Sequence, residues 1–149
     1  MVQIAKILVP VDFSECSRAA LCYAVFFGNR LNATAIDVLH VWKPPAFLDP
    51  DLKLHTPEGR METLAEFVKS QAGQSMKAFL AEVEKGGSYE VHGRLEAGEP
   101  RLAILEVAAQ EGYDLIVMGA RGETGHVELG STAEKIVRNA TCPVVTIRG

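Results

Sequence analysis

Apolar residues fall along this chain in two kinds of run. Short blocks rich in β-branched residues, at residues 4–11, 35–42, 114–119 and 143–147, read as strands, and longer stretches with apolar positions three and four apart read as helices. The first block meets Pro10, which cannot donate to a sheet ladder, so its strand ends there. Ser14 followed by Glu15 supplies an N-cap and an acidic first turn. Ala20, Leu21, Ala24, Val25, Gly28 and Leu31 then continue at helical spacing, which predicts a first helix from about Ser14 to Leu31. The second strand, at residues 35–42, stops before Lys43-Pro44-Pro45.

Residues 43–56, with prolines at 44, 45 and 50, predict an irregular loop, and a loop that long is usually functional or mobile. Thr56-Pro57-Glu58 reads as an N-cap with proline at the first helical position. The stripe Met61, Leu64, Val68, Ala72, Met76, Phe79, Leu80 and Val83 extends that helix until Gly86-Gly87 closes it. Residues 88–95 form a weaker strand in which Tyr89 and Val91 alternate with polar residues. Gly98-Glu99-Pro100 opens a third helix that Gly112 closes. Residues 114–119 then form a nearly continuous apolar run, as in a central parallel strand buried on both faces. After a glycine-rich loop, Ser131 and Glu134 match a Ser-x-x-Glu capping box at the start of a fourth helix, and the last strand follows. The order βαβαβαβαβ predicts one α/β domain, a doubly wound parallel sheet with helices on both faces.

Composition agrees with this and narrows the function. A chain of 149 residues, 48% hydrophobic and 23% charged, suits a single soluble domain with a sizeable core. Its net charge of −4 is the wrong sign for holding nucleic acid by bulk phosphate neutralisation. No run reaches the roughly 20 apolar residues that span a bilayer, and the N-terminus lacks the basic-then-apolar order of a secretory signal. A cytoplasmic protein without nucleic-acid or membrane partners is expected. Cys16, Cys22 and Cys142 are odd in number and lack ligand spacing, so free thiols are expected rather than a disulfide framework or a zinc site.

Open parallel sheets bind ligands at the carboxyl ends of their strands, beside the point where strand order reverses. Two segments lead there: Pro10-Val11-Asp12 after the first strand, and Met118-Gly119-Ala120-Arg121-Gly122 running on to Gly130-Ser131-Thr132. Gly119, Gly122, Gly125 and Gly130 remove side chains from a loop that feeds a helix. Such a loop can cradle a phosphate with backbone amides, or merely turn a tight corner; glycine spacing alone leaves both open. GxxxxGK[ST], a GxGxxG after the first strand and GxSxG are all absent.

The segments Ile7-Leu8-Val9-Pro10-Val11-Asp12-Phe13-Ser14, Leu39-His40-Val41, Gly98-Glu99-Pro100, Asp114-Leu115-Ile116-Val117-Met118-Gly119, Gly130-Ser131-Thr132-Ala133-Glu134-Lys135-Ile136-Val137 and Cys142-Pro143-Val144-Val145 together resemble the universal stress protein family along the whole chain. The resemblance implies five parallel strands in the order 3-2-1-4-5, a homodimer and, as in many members, an ATP site. By position it implies Asp12 beside the ribose, backbone of Val11 and Val41 around the adenine, and Gly119, Gly122, Ser131 and Thr132 at the phosphates. Arg121 is a further candidate phosphate ligand, and Pro10, Met118 and Gly130 complete the nucleotide-binding set. The family pattern places nine residues between Gly-x-x-Gly and Gly-Ser, whereas seven separate Gly122 from Gly130 here. Glu123 and Glu128 bring negative charge to the loop, which Mg2+ accompanying ATP, or Arg121, would offset.

The remaining candidates read more plainly. Asp12 has no second acid or base placed beside it by spacing, so it is assigned to binding and efficient catalysis is not expected. His40, His55, His92 and His126 show no metal-ligand spacing, and only His126 is a candidate ligand contact. Trp42, Phe47 and Leu48 could lid an adenine, join a dimer contact or close the core edge. In the order 3-2-1-4-5 the last strand is an edge, and its apolar run at Val144–Ile147 invites pairing with a second copy. The expectation is a stress-response adenine-nucleotide-binding regulator; the alternative is a dimeric scaffold of the same fold that binds no nucleotide.

Overall fold

The computed structural model of the protein describes residues 1–83, 87, 89–121 and 128–149. Its elements run β1 (Lys6–Pro10), α1 (Glu15–Leu31), β2 (Ala35–Trp42), β3 (Lys53–His55), β4 (Met61–Thr63), α2 (Leu64–Ala81), β5 (Glu90–Ala97), α3 (Pro100–Gln110), β6 (Leu115–Gly119), α4 (Ser131–Asn139) and β7 (Val144–Ile147). Five of the strands form one parallel sheet in the order β5-β2-β1-β6-β7. Counting only those five in chain order gives 3-2-1-4-5, as expected, with the reversal of strand order beside β1.

Strand alternation divides the core between two faces. Ile7, Val9, Ile36, Val38 and Val117 pack with Ala20, Leu21 and Ala24 of α1 and with Met76 and Phe79 of α2. Leu8, Leu39, Val41, Ile116 and Met118 pack on the opposite face with Ile104, Val107 and Ala108 of α3 and Ala133 and Ile136 of α4. A one-residue slip in any central strand would exchange these sets, so burial fixes the register. Asp114, just before β6, ties the start of β1 in place, its Oδ2 accepting from the amides of Ala5 and Lys6 at 2.9 Å each.

The helix after β2 begins later than the sequence pattern predicts. Thr56-Pro57 does not open it; instead residues 53–63 form an antiparallel hairpin, β3 with β4. Gly59 sits in the turn at φ 81°, a conformation that ends helical continuation, and the Thr56 side chain accepts from the Arg60 amide at 3.1 Å. The true start is a capping box seven residues on: Thr63 accepts from the Glu66 amide while Glu66 accepts from the Thr63 amide. Pro50 and Leu52 carbonyls then accept from the amides of Ala65 and Leu64, stitching the excursion to the first turn of α2. The helix also ends earlier than expected, at Ala81 with Glu82 as its C-cap, ahead of Gly87; Gly86 and Ser88 lie outside the described residues. Among the described residues no helix is long and apolar enough to cross a membrane.

Candidate functional site

The carboxyl ends of β2, β1 and β6 open into one cavity of about 770 Å³, a size that suits a small-molecule ligand. α2 walls it on one side with Val68, Gln71, Ala72 and Ser75, whose spacing of three and four puts them on one helical face. Pro100 and Ile104 of α3 and the first turn of α4 wall the other. Because β1 lies between β2 and β6, the turn after β1 stands at the middle of the cavity.

That turn is held unusually firmly. Phe13 adopts φ 65°, a left-handed conformation rare for a bulky residue, and swings the chain so that Ser14 and Ser17 face back toward Asp12. Asp12 Oδ1 accepts from the Ser14 hydroxyl at 2.5 Å, the Ser14 amide at 3.1 Å and the Ser17 hydroxyl at 2.7 Å. The Asp12 amide in turn donates to Ser17 Oγ at 3.0 Å. Burial works to raise the carboxyl's pKa, but the hydroxyls of Ser14 and Ser17 and the nearby amides outweigh it and hold the group below its ordinary value. Ser14 also caps α1 by accepting from the Ser17 amide.

His40 holds the same turn from β2. Its Nδ1 lies 2.9 Å from the Val11 carbonyl, which can only accept, so Nδ1 carries the hydrogen. The ring stacks on Phe13 with centroids 4.4 Å apart, and Phe13 meets Phe79 of α2 edge-on. The Val11 amide donates to the Leu39 carbonyl at 2.8 Å. Val11 thus has its amide and one carbonyl lone pair engaged within the protein, while Val41, two residues beyond Leu39 on the same strand, directs its backbone to the same side past the end of β1.

At the opposite end, the N-cap of α4 is Gly130, with Ser131 as the first helical residue and no side-chain cap bond. The expected Ser131–Glu134 capping box is therefore one residue out of register. The Gly130 amide donates to the Ala120 carbonyl at 2.7 Å, which fixes Gly130 as the cap, and Glu134 pairs with Arg138 instead. α1, α2 and α3 are each capped by a side chain, from Ser14, Thr63 and Glu99. α4, whose first turn lines the cavity, lacks one, which leaves first-turn amides without a side-chain partner at the positive end of the helix dipole. Gly119 is also tightly packed: a Cβ there would lie 3.1 Å from Cys16 Sγ.

Of the residues expected from sequence, Pro10, Val11, Asp12, Val41, Met118, Gly119, Arg121, Gly130, Ser131 and Thr132 all line this cavity. Gly122 lies outside the described residues, as do Glu123, Gly125 and His126. Sequence reasoning passed over Ser17, His40 and the α2 wall. Ser17 sits one turn past the N-cap, so a polar residue on the buried face of α1 is a readable signal; His40 carried no signal beyond its place near a strand's end. Trp42 lines the cavity, whereas Phe47 is 86% exposed and forms no part of its wall. His55 and His92 lie away from the cavity, His92 between Asp37 and Glu90 on β5, and among the described residues no three His, Cys, Asp or Glu side chains gather as metal ligands. Asp12 is the sole carboxylate among the described lining residues, so they offer no carboxylate cluster to hold Mg2+ on their own.

Comparison with known proteins agrees with this architecture. The sequence model of the Universal stress protein family matches residues 3–148. Universal stress protein MJ0531 of Methanocaldococcus jannaschii is 31% identical over 145 residues, covering 96% of this chain and 81% of its own length. The solved structure of hypothetical protein MJ0577 from the same organism is 29% identical, with a TM-score of 0.80 over 99% of this chain and 98% of that one. An Arabidopsis thaliana universal stress protein family structure with AMP bound shares the fold at 20% identity and a TM-score of 0.63, over 97% of this chain and 91% of that one. Motifs, strand order and these matches agree across the whole length, and the chain belongs to the universal stress protein family.

Proposed function

We propose that this protein binds an adenine nucleotide across the carboxyl ends of β2, β1 and β6 and acts as a nucleotide-responsive regulator in stress adaptation, without efficient turnover. The observation that carries this reading is the division of one cavity into two chemically distinct ends on either side of an ionised, immobilised carboxylate. Apolar and aromatic groups from β2 and α2 suit a base, Asp12 at the centre suits ribose hydroxyls, and the uncapped start of α4 with Gly119 and Arg121 suits phosphate. The AMP bound to the Arabidopsis relative supports the ligand class. Asp12 is a poor general base, because its hydrogen bonds hold it ionised at low pH, which supports binding rather than catalysis.

The protein forms a homodimer through β7 in this reading. Among the described residues that strand pairs with β6 on one side only, and its apolar run offers the other side to a second copy. Titration calorimetry with AMP, ADP and ATP, with and without Mg2+, tests the ligand. Micromolar binding of at least one supports the proposal, whereas neither heat nor thermal shift at millimolar nucleotide leaves the scaffold alternative. Sedimentation analysis of the purified protein tests the dimer.

A further inference from the structure

The carbonyl of Val11 and the amide of Asp12 belong to one planar peptide unit. That unit is gripped from both sides: His40 Nδ1–H donates to its oxygen at 2.9 Å, and its N–H donates to Ser17 Oγ at 3.0 Å. The two grips come from different elements, β2 and α1. Ser17 and its neighbour Ser14 also hold the Asp12 side chain, and both hydroxyls act on Oδ1. Among the described residues Oδ2 has no hydrogen-bond partner, so it is the oxygen available to a ligand hydroxyl. Its direction follows from the placement of the Val11–Asp12 peptide and from the bonds on Oδ1, and His40 is one of the two groups that hold that peptide.

We propose that His40 is a positioning residue for ribose recognition: by fixing the Val11–Asp12 peptide and stacking on Phe13, it aims Asp12 Oδ2 at the sugar hydroxyls and so sets the preference for a hydroxyl-bearing ribose. This rests on the nucleotide reading above and adds to it a residue that acts through the Val11–Asp12 peptide. The ring stack matters because Phe13 is the residue at φ 65° that turns the chain, and His40 and Phe79 hold its ring between them.

The test compares dissociation constants for AMP and for 2′,3′-dideoxyadenosine 5′-monophosphate, whose ratio isolates the sugar hydroxyls from overall affinity. The wild type prefers AMP by about tenfold, in line with one charge-assisted hydrogen bond. His40→Phe keeps a ring against Phe13 but loses the donor, and brings the ratio down at least threefold. His40→Asn, whose amide can donate to the Val11 carbonyl, recovers most of it. Adding His40→Phe to Asp12→Asn lowers the ratio no further, because the two act on one contact. An unchanged ratio in His40→Phe, or an equal fall in His40→Asn, overturns the proposal while leaving nucleotide binding intact. A wild type that binds neither compound at millimolar concentration removes the nucleotide reading itself, and this inference with it. If His40→Phe does not fold, long-range 1H–15N correlation on the wild type decides. The neutral ring carries its hydrogen on Nδ1, and a ring found with its hydrogen on Nε2 overturns the assignment.

Discussion

Cys16 occupies the space that a side chain on Gly119 would need. Its Cβ and Sγ lie 3.1 Å from the place a Cβ at 119 would take, and its backbone carbon lies at 3.2 Å. The same thiol donates to the Ile147 carbonyl at 3.1 Å, so the first turn of α1 packs across the paired ends of β6 and β7. Gly119→Ala therefore costs stability through overpacking, about 1–3 kcal/mol, even without ligand. Urea unfolding reads this as a lower midpoint at unchanged slope. A substitution with no effect would mean that α1 yields freely and that the glycine serves only phosphate approach.

Gly130 carries a different prediction. Its φ of −62° and ψ of 155° are open to any residue, so aspartate can be placed there without backbone strain. Gly130→Asp would give α4 the side-chain cap it lacks and raise stability by a few tenths of a kcal/mol. The same carboxylate would compete for the first-turn amides and repel phosphate, so AMP affinity should fall at least tenfold. Thermal melting and calorimetry on one sample check both signs; a variant that binds AMP as tightly as the wild type would move the phosphate away from α4.

The charge on Asp12 gives a pH dependence whose direction is fixed. Its pKa is lower folded than unfolded, so the folded state favours the ionised form. Its contribution to stability is complete above the ordinary carboxylate range and is lost as pH falls through the lowered folded value. Stability measured by urea unfolding from pH 6 down to pH 2 should fall less steeply in Asp12→Asn than in the wild type, with the difference confined to the acid side. Parallel curves would mean that the serine hydroxyls do not favour the carboxylate.

Asp114 is predicted to matter for the sheet rather than for the cavity. Its carboxylate bonds the amides of both Ala5 and Lys6, and Asp114→Ala leaves two backbone donors without that partner. A loss of about 2 kcal/mol follows. Nucleotide affinity should be unchanged, and hydrogen exchange should quicken at the start of β1.

Most of the fold was legible because burial leaves a pattern in the sequence. The nearly continuous apolar runs of β1, β2 and β6 mark strands buried on both faces, the three- and four-residue apolar spacing of α1 marks a helix buried on one, and the strand order followed from the family resemblance carried by the motifs around β1, β6 and α4. One helix start and one helix cap were misread for one reason. Thr56-Pro57 and Ser131 both carry good local capping chemistry, but Gly59 at φ 81° and the Gly130–Ala120 hydrogen bond override it, and neither is visible in a local pattern. The second helix had its own Thr63-x-x-Glu66 signal, which the Thr56-Pro57 pair ahead of it overshadowed. In the cavity, the residues that close strands were readable by position. The contribution of His40 was not, since it depends on a contact between residues 29 apart in sequence.

The excursion between β2 and α2 leaves the body of the protein at Trp42 and Lys43 and returns through α2 at Val68 and Gln71, and all four of these residues belong to the wall of one cavity. Whatever occupies that space joins the two roots of the hairpin much as a cross-link would, shortening the untethered chain between them. Occupancy would then be readable at a distance, in how freely Phe47, Leu52 and Met61 on the outer surface sample their surroundings.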